Sequence, residues 1–357
     1  MFVKHTTTLP PGKFVPSGVN RFLIECEQGC WKWRSKFWKR WVFASVFIKV
    51  LGLIRRLDQI EARHRRILWI NLAAPSIGDS LMDLSSRVLL KQHQVDLLTH
   101  KKNIDLYKCD PWFRRVSDQS SDFRTEIYDL VICDSFSPRV LLPKLLIAPI
   151  TPFVGLYGFL NGFEVHRTYF AFARMMELLS LDRISEPMRP MISLSSETED
   201  QPKEVDVCIA IGGEWSFRTY DHWSPVISWL VGRGYSVALV GSGNGIETAS
   251  QILEMEPSVR STVGDLSLSE VVTEIAQAKI FIGADGGLWH IACAIPIPTV
   301  VLFADCQIFD EEGNRVTRET KDMICETLYD DFKVSNIPQR DVIVAFERLW
   351  NRVGLGS

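Results

Sequence analysis

The chain has 357 residues, of which 46% are hydrophobic and 23% are charged. This length suffices for two domains of ordinary size, and the composition excludes a disordered chain. The net charge of -3 excludes a global attraction to nucleic acid, which is therefore not a predicted partner. The eight cysteines form no C-x-x-C pair, and Cys26 and Cys30 lack a second pair at metal spacing. We therefore predict no bound metal.

Residues 1–65 form a basic, aromatic N-terminal extension. The first residues are polar and broken by prolines, which argues against a secretory signal and predicts a cytoplasmic protein. Residues 31–57 interleave tryptophans with Lys and Arg, and their apolar run is too short and too charged to span a bilayer. One interpretation is an interfacial helix on an anionic membrane surface, which would place the protein peripherally on the inner face of the cell membrane. The alternative is a helix whose apolar side docks on the protein's own core.

From residue 66 onward, strand-like apolar runs alternate with helical patterns. The first series fills residues 66–192, and a polar, proline-containing linker is predicted at 193–204. A second series fills residues 205–335, and residues 336–357 contain a closing helix with apolar residues at helical spacing. Alternation of this kind predicts an α/β fold with two doubly wound parallel-sheet domains of Rossmann type. Two such domains are expected to form a cleft between the carboxyl ends of their strands, where ligands bind.

Residues 279–303 predict a strand, a glycine turn, a helix and a second strand. The turn contains Asp285, Gly286 and Gly287, and the helix carries His290. Adjacent glycines allow close approach of a ligand, and the first N–H groups of a helix attract anions, so a phosphate or diphosphate is the expected ligand. The alternative is a tight turn followed by a hydrogen-bonded core histidine.

Near the start of the first domain, Ser76, Gly78, Asp79 and Ser80 follow the strand at 68–73 and open an amphipathic helix. Asp79 has two open interpretations. Its carboxylate could accept the first N–H groups of the helix as a cap. It could also act as the general base that removes a proton from an attacking hydroxyl.

Two further glycine turns follow strands of the second domain. Gly212 and Gly213 precede Arg218, whose guanidinium could hold a diphosphate together with backbone N–H groups; the alternative is a solvated loop. The segment 241–245 has glycines at alternate positions, but its spacing does not match the G-x-G-x-x-G dinucleotide fingerprint. A nicotinamide-dependent dehydrogenase is therefore disfavoured.

Taken in order, these segments resemble glycosyltransferase family 9, the lipopolysaccharide heptosyltransferase group of the GT-B fold. The resemblance covers roughly residues 66–310. It is carried by the Gly78-Asp79 turn and by a D-x-G-x-x-H segment made of Asp285, Gly287 and His290. The strand at 128–139 and the helix at 166–182 are similar to the corresponding family segments.

The resemblance implies an inverting, metal-independent transfer of a heptose-like sugar from a nucleotide diphosphate donor, expected to be ADP-linked, to a glycolipid or lipopolysaccharide-type glycan. No other cofactor is implied. Residues 66–192 would bind the acceptor, with Asp79 as the base in a turn formed by Ser76, Gly78 and Ser80. Residues 205–335 would bind the donor. The donor-site residues implied are Gly212, Gly213, Arg218, Glu247, Asp285, Gly286, Gly287 and His290.

Two departures from the family pattern leave an alternative open. Asp221 stands where the family has a Lys or Arg that meets the donor phosphate, and Gly286 stands where Ser or Thr is frequent. A carboxylate at 221 would repel a diphosphate, so Arg218 is the candidate replacement for the missing cation. The alternative function is a non-catalytic binding or assembly component of a glycan-synthesis complex.

Overall fold

A computed structural model of the chain describes residues 55–73, 75–156, 167–194, 202–304 and 323–355, together with Trp38, Val42, Phe43 and Val46. These residues divide into two compact units, one reaching Arg189 and the other starting at Pro190. Most of the predicted N-terminal extension and residues 195–201 of the predicted linker lie outside the described residues.

The first unit is built on a five-stranded sheet with every ladder parallel. Its strands are β1 (Arg66–Asn71), β2 (Gln94–Thr99), β3 (Phe113–Ser117), β4 (Leu130–Cys133) and β5 (Phe153–Gly155). Their order across the sheet is β3-β2-β1-β4-β5, so the connection direction reverses between β1 and β4. In open α/β sheets this reversal opens a ligand crevice beyond the carboxyl ends of the two central strands.

The described helices of the first unit are α1 (Ile77–Asp83), α2 (Pro138–Ile147) and α3 (Arg167–Leu179). The sequence predicts an amphipathic helix starting at Ser76, but α1 ends at Asp83 and a 3₁₀ helix, Leu84–Leu90, continues the chain. Arg87 in that segment is not on a solvated face. It is buried and pairs with the buried Asp110, and its Nη1 also donates to the Leu84 carbonyl.

The second unit has a six-stranded sheet, also parallel throughout. Its strands are β6 (Val205–Ala210), β7 (Val237–Val240), β8 (Arg260–Ser261), β9 (Ala278–Ala284), β10 (Thr299–Ala304) and β11 (Cys325–Asp330). The order is β11-β10-β9-β6-β7-β8, which places the reversal between β9 and β6. The glycine turns predicted to bind a diphosphate follow these two strands.

The helices of the second unit are α4 (Trp223–Gly232), α5 (Ile246–Met255), α6 (Leu268–Ala276), α7 (Gly287–Ala294) and α8 (Gln339–Arg352). Helix α8 buries Val342, Ala345, Phe346 and Leu349 in the same apolar core as β6, β9 and β10. The spacing of these four residues is what the sequence predicts for a closing helix.

The predicted fold class of two doubly wound parallel sheets is confirmed, but the sequence does not reveal the edge strands β3 and β11. Strand β3 has one buried residue of five, and none of the six residues of β11 is fully buried. A strand buried on both faces shows a continuous apolar run, whereas an edge strand is free to carry charged residues and so lacks that signal.

The few described residues of the N-terminal extension show two different surroundings. Phe43 packs against the core of the first unit, while Trp38, Val42 and Val46 are 46%, 49% and 43% exposed. Within the residues that the structure describes, no helix has the length and apolar character needed to cross a membrane.

Candidate functional site

In the first unit, the turn after β1 presents Asp79 at the beginning of α1. Ser76 is the N-cap of this helix, and its hydroxyl accepts the backbone N–H of Asp79 at 3.2 Å. The capping function considered for Asp79 is thus supplied by Ser76. The Asp79 side chain is 38% exposed, so it remains accessible from solvent. Gly78, the residue before it, is buried.

Arg167, the first residue of α3, is the ion-pair partner of Asp79. Its Nη1 lies 3.2 Å from Asp79 Oδ1. The same guanidinium donates from Nε and Nη2 to the two carboxylate oxygens of Asp83, which is fully buried. A forked guanidinium bound to a buried carboxylate has a fixed orientation. Asp79 is therefore held by a cation that is itself anchored one helical turn below.

A buried polar network supports the same turn from beneath. The Ser80 hydroxyl donates to Asn71 Oδ1 at 2.8 Å and lies 3.0 Å from the Tyr107 hydroxyl. Asn71 Nδ2 in turn donates to Asp134 Oδ2 at 3.4 Å, and the same oxygen accepts the Ala73 N–H at 2.8 Å. Ser80 is fully buried, so it fixes the turn from inside.

Asp134 follows β4 directly, so it lies at the carboxyl edge where the strand order reverses. Burial, assisted by the nearby charge of Asp83, raises the pKa of Asp134 to about 8. The Ala73 N–H and the charge of Arg167 act in the opposite direction, but they do not offset the loss of hydration.

In the second unit, the turns after β6 and β7 pack directly on each other. Asn244 Nδ2 donates to the Gly213 carbonyl at 2.6 Å. Gly212 has φ of 85°, and a Cβ there would lie 2.7 Å from Asn244 Oδ1. A Cβ on Gly241 would lie 2.5 Å from the Ile211 carbonyl oxygen. Gly241 and Gly245 thus serve close packing of two turns, in agreement with the poor match of this segment to a dinucleotide fingerprint.

Arg218 and Asp285 meet at the carboxyl ends of β6 and β9. Arg218 Nη2 lies 3.3 Å from Asp285 Oδ2, and the guanidinium also stands over the Phe217 ring at 5.3 Å. Asp285 is buried, whereas the Arg218 side chain is 28% exposed. On the other side of Asp285, His290 Nε2 lies 3.8 Å from Oδ1. The structure therefore brings three of the predicted donor-site residues together.

Helix α7 begins beside this pair. Gly286 is its N-cap, and the first backbone bond of the helix runs from the His290 N–H to the Gly286 carbonyl at 3.2 Å. The amides of residues 287–289 precede this bond, and they consequently have no carbonyl partner within the helix. Gly286 is extended, and a Cβ there would lie 3.8 Å from the Ala284 carbonyl oxygen, which is ordinary van der Waals contact. Anions bind to helix ends of this kind.

Two predicted positions have other surroundings. Glu247 lies in the first turn of α5 and is exposed. Asp221 accepts a hydrogen bond from the Ser335 hydroxyl at 2.9 Å and points its charge to the segment before α8. Among the described residues, no group of three or more His, Cys, Asp or Glu side chains is arranged to hold a metal ion.

Sequence reasoning misses Arg167 and Ser335. Arg167 stands at the start of a helix that the sequence does predict, but its role depends on α3 packing against α1. Ser335 contacts a residue 114 positions earlier, and an isolated serine carries no signal of such a partner.

The fold of the two units is shared with solved structures of other proteins. Two units of parallel sheet, with polar turns at the strand reversals, match the GT-B fold of the solved glycosyltransferase structures. A glycosyltransferase of family 9 from Veillonella parvula superposes with a TM-score of 0.68 at 14% identity, over 83% of this chain and 100% of that one. The ADP-heptose lipopolysaccharide heptosyltransferase II of Escherichia coli superposes with a TM-score of 0.62 at 19% identity, over 81% and 99%.

Sequence comparison gives the family that the chain resembles. Residues 165–309 match glycosyltransferase family 9 (heptosyltransferase), so the predicted resemblance is confirmed over this segment. Over 87 residues the chain is 32% identical to lipopolysaccharide heptosyltransferase 2 of Salmonella typhimurium. These residues make up 23% of this chain and 25% of that protein. The alignment therefore spans about a quarter of this curated relative. Arg218 and Asp285 lie inside the matched segment, and Asp79 lies before it.

Proposed function

We propose that the protein is a glycosyltransferase that moves a heptose-like sugar from an ADP-linked donor to a hydroxyl of a glycolipid or lipopolysaccharide-type glycan. The observation that carries the proposal is the Arg218–Asp285 pair beside the amino end of α7, within the segment that matches family 9. The names of the similar proteins support the choice of sugar and donor, since they include an ADP-heptose lipopolysaccharide heptosyltransferase.

The second unit would stabilise the departing diphosphate. Negative charge accumulates on this group as the bond to the sugar breaks, and fixed dipoles and cations lower the energy of that state. The amides of residues 287–289 and the Arg218 guanidinium supply positive charge of this kind. The proposal therefore assigns the charge compensation to the protein and invokes no metal ion.

Asp79 would act as the general base. Its carboxylate takes the proton from the acceptor hydroxyl while the hydroxyl oxygen forms a bond to the anomeric carbon. The bond between that carbon and the diphosphate breaks on the opposite face, so a single displacement inverts the configuration. Partial exposure of Asp79 and its restraint by Arg167 suit this role, since a base must reach its substrate in a fixed orientation.

Binding and turnover experiments test this proposal in two steps. Thermal unfolding with ADP, UDP, GDP and CDP should show a selective rise of the melting temperature with ADP, because a ligand of the folded state stabilises it by mass action. Incubation with ADP-heptose and a lipopolysaccharide-core acceptor should then release ADP. Absence of a shift with every nucleotide would contradict the donor assignment.

A carboxylate at Asp221 in place of a cation and the lack of a hydroxyl at Gly286 favour a second candidate, a non-catalytic assembly component. That candidate predicts no release of ADP, even where ADP binds. The accessible Asp79 favours the enzyme, because a purely structural protein has no need for a restrained, exposed carboxylate at this turn. Turnover by the intact chain decides between the two.

We further propose that the protein works at the cytoplasmic face of the cell membrane, where an anionic surface contacts Trp38, Val42 and Val46. These residues recur every fourth position and are exposed, and Lys39, Arg40 and Lys49 occur among and after them in the sequence. Vesicles with 30% anionic lipid should sediment the intact protein, and Trp38→Ser with Val42→Ser should reduce the sedimented fraction. Ile127→Ser is the matched control, because Ile127 is 80% exposed on the same unit. Equal sedimentation of both variants would contradict the proposal.

A further inference from the structure

Ser335 joins the segment before α8 to the turn after Arg218 through both its side chain and its backbone. The Ser335 hydroxyl accepts the Asp221 N–H at 3.0 Å, and it lies 2.9 Å from Asp221 Oδ2 and 2.8 Å from the Thr219 carbonyl oxygen. A hydroxyl has one hydrogen to donate, so it serves one of these two oxygens at a time. His222 Nε2 donates to the Ser335 carbonyl at 3.1 Å, which adds a second connection between the same segments.

The segment that carries Ser335 is firmly anchored on its own side. Asp330 Oδ1 accepts the N–H groups of Phe332 and Lys333 at 2.8 and 2.9 Å, as well as Asn336 Nδ2 at 3.0 Å. Val334, next to Ser335, is fully buried in the core of the second unit. Ser335 therefore offers a fixed point to which the turn at 219–222 is attached.

Arg218 directly precedes the attached residues. Its Nε is buried and makes no hydrogen bond within the part of the chain that the structure describes. The guanidinium contacts Asp285 and the Phe217 ring, and its reach to both depends on the position of the backbone that bears it. That backbone is a short 3₁₀ turn, Ser216–Arg218, held between Gly213 on one side and Ser335 on the other.

We propose that Ser335 and Asp221 are positioning residues that hold Arg218 for binding of the donor diphosphate. The inference rests on the proposed function for its ligand, but its structural part stands separately. In this arrangement the carboxylate at position 221 serves as a backbone clamp. The family pattern has a cation at this position. Here the carboxylate instead fixes the position of another cation, Arg218, three residues earlier.

Ser335→Ala tests the clamp, and Ser335→Thr is its matched control because it keeps the hydroxyl. We expect Ser335→Ala to weaken ADP binding measured by calorimetry by about 3- to 10-fold, the effect of one lost hydrogen bond, and Ser335→Thr to stay within about 2-fold. Amide hydrogen exchange of residues 216–222 should become faster in Ser335→Ala alone. Exchange at the same rate in both variants and the wild type would overturn the clamp.

Asp221→Lys distinguishes a clamp from a phosphate contact. Lysine would restore the cation of the family pattern but cannot accept the Ser335 hydroxyl, so we expect it to weaken ADP binding and to speed exchange in residues 216–222. Tighter ADP binding would overturn the proposal, because it would show that position 221 faces the phosphates. If the wild type does not bind ADP, the donor assignment fails, and the exchange rates alone decide whether the clamp exists.

Discussion

Arg167 holds Asp79 through an ion pair of 3.2 Å while its fork binds the buried Asp83. The two carboxylates belong to the same short helix, α1, but only Asp79 reaches solvent. One guanidinium thus compensates a buried charge and orients an exposed one. If Asp79 is the general base of the proposed reaction, stability and activity both depend on Arg167, and substitution can separate the two effects.

Arg167→Gln should lower the free energy of unfolding by about 3 kcal/mol, because it leaves the Asp83 charge buried without its cation. The double variant Arg167→Gln with Asp83→Asn removes that charge and should recover most of the stability. If Arg167 orients Asp79 for the proposed reaction, kcat should stay low in the double variant while the KM for the donor is unchanged. Recovery of kcat together with stability would show that Arg167 has a structural role only.

Asp79→Asn should reduce kcat by about 100-fold or more, since loss of a general base typically costs 10²–10⁴-fold. Affinity for ADP should be unaffected, because Asp79 lies in the first unit and the proposed ADP site in the second. The matched control is Asp182→Asn, an exposed aspartate after α3. Retention of full kcat in Asp79→Asn would refute the base assignment, with product release by the control confirming that the assay works.

The sequence predicts the elements of the candidate sites better than the contacts between them. Residues 279–303 fold as the predicted strand, glycine turn, helix and strand, because apolar runs and adjacent glycines are local signals. The ion pair of Arg167 with Asp79 joins residues far apart in the chain, and charged residues at helix starts are common. No local pattern distinguishes a guanidinium that will meet a carboxylate from one that will meet water.

Asp221 is a second residue whose long-range contact cannot be predicted from the local sequence. The sequence indicates a carboxylate where a cation is expected, and from charge alone it predicts repulsion of a diphosphate. The structure shows that the carboxylate is bound by Ser335, a contact that depends on how the segment after β11 returns to the turn after β6. Its electrostatic effect could therefore not be judged without the fold.

Arg218→Gln should weaken ADP binding by about 10- to 100-fold, the range for a lost charge-assisted hydrogen bond of 1.5–3 kcal/mol. Arg218→Lys should recover part of the affinity, because lysine keeps the charge but not the fork. The charge of the partly exposed Arg218 is screened by salt, so the wild-type affinity should also fall as ionic strength rises. Calorimetry at two salt concentrations measures both effects. Equal ADP affinities of wild type and Arg218→Gln would show that Arg218 is not part of the donor site.

The buried Asp134 predicts a dependence of stability on pH. Its pKa of about 8 in the folded protein lies above the ordinary value of 3.8, so the folded state keeps a proton that the unfolded chain loses. The contribution of Asp134 to stability is present below about pH 4 and is lost as the pH rises toward about 8. Asp134→Asn removes this loss, and its stability relative to wild type should increase between about pH 5 and pH 8. Urea unfolding across this range measures the difference, and parallel curves for the two proteins would contradict the prediction.

Two glycines of the second unit should differ in how much stability they lose on substitution by alanine. A Cβ on Gly241 would lie 2.5 Å from the backbone oxygen of Ile211, and neither turn can retreat without breaking the packing between them. Gly241→Ala should therefore lower the free energy of unfolding by about 2 kcal/mol, the middle of the range for overpacking. Gly286 is extended and has no neighbour within 3.4 Å of an added Cβ, so Gly286→Ala should change stability by less than about 0.5 kcal/mol.

Gly286→Ser fits the same space and adds a hydroxyl at the amino end of α7, where it should tighten ADP binding if the diphosphate lies there. A loss of stability in Gly286→Ala as large as that in Gly241→Ala would show that the end of α7 is closed to a ligand.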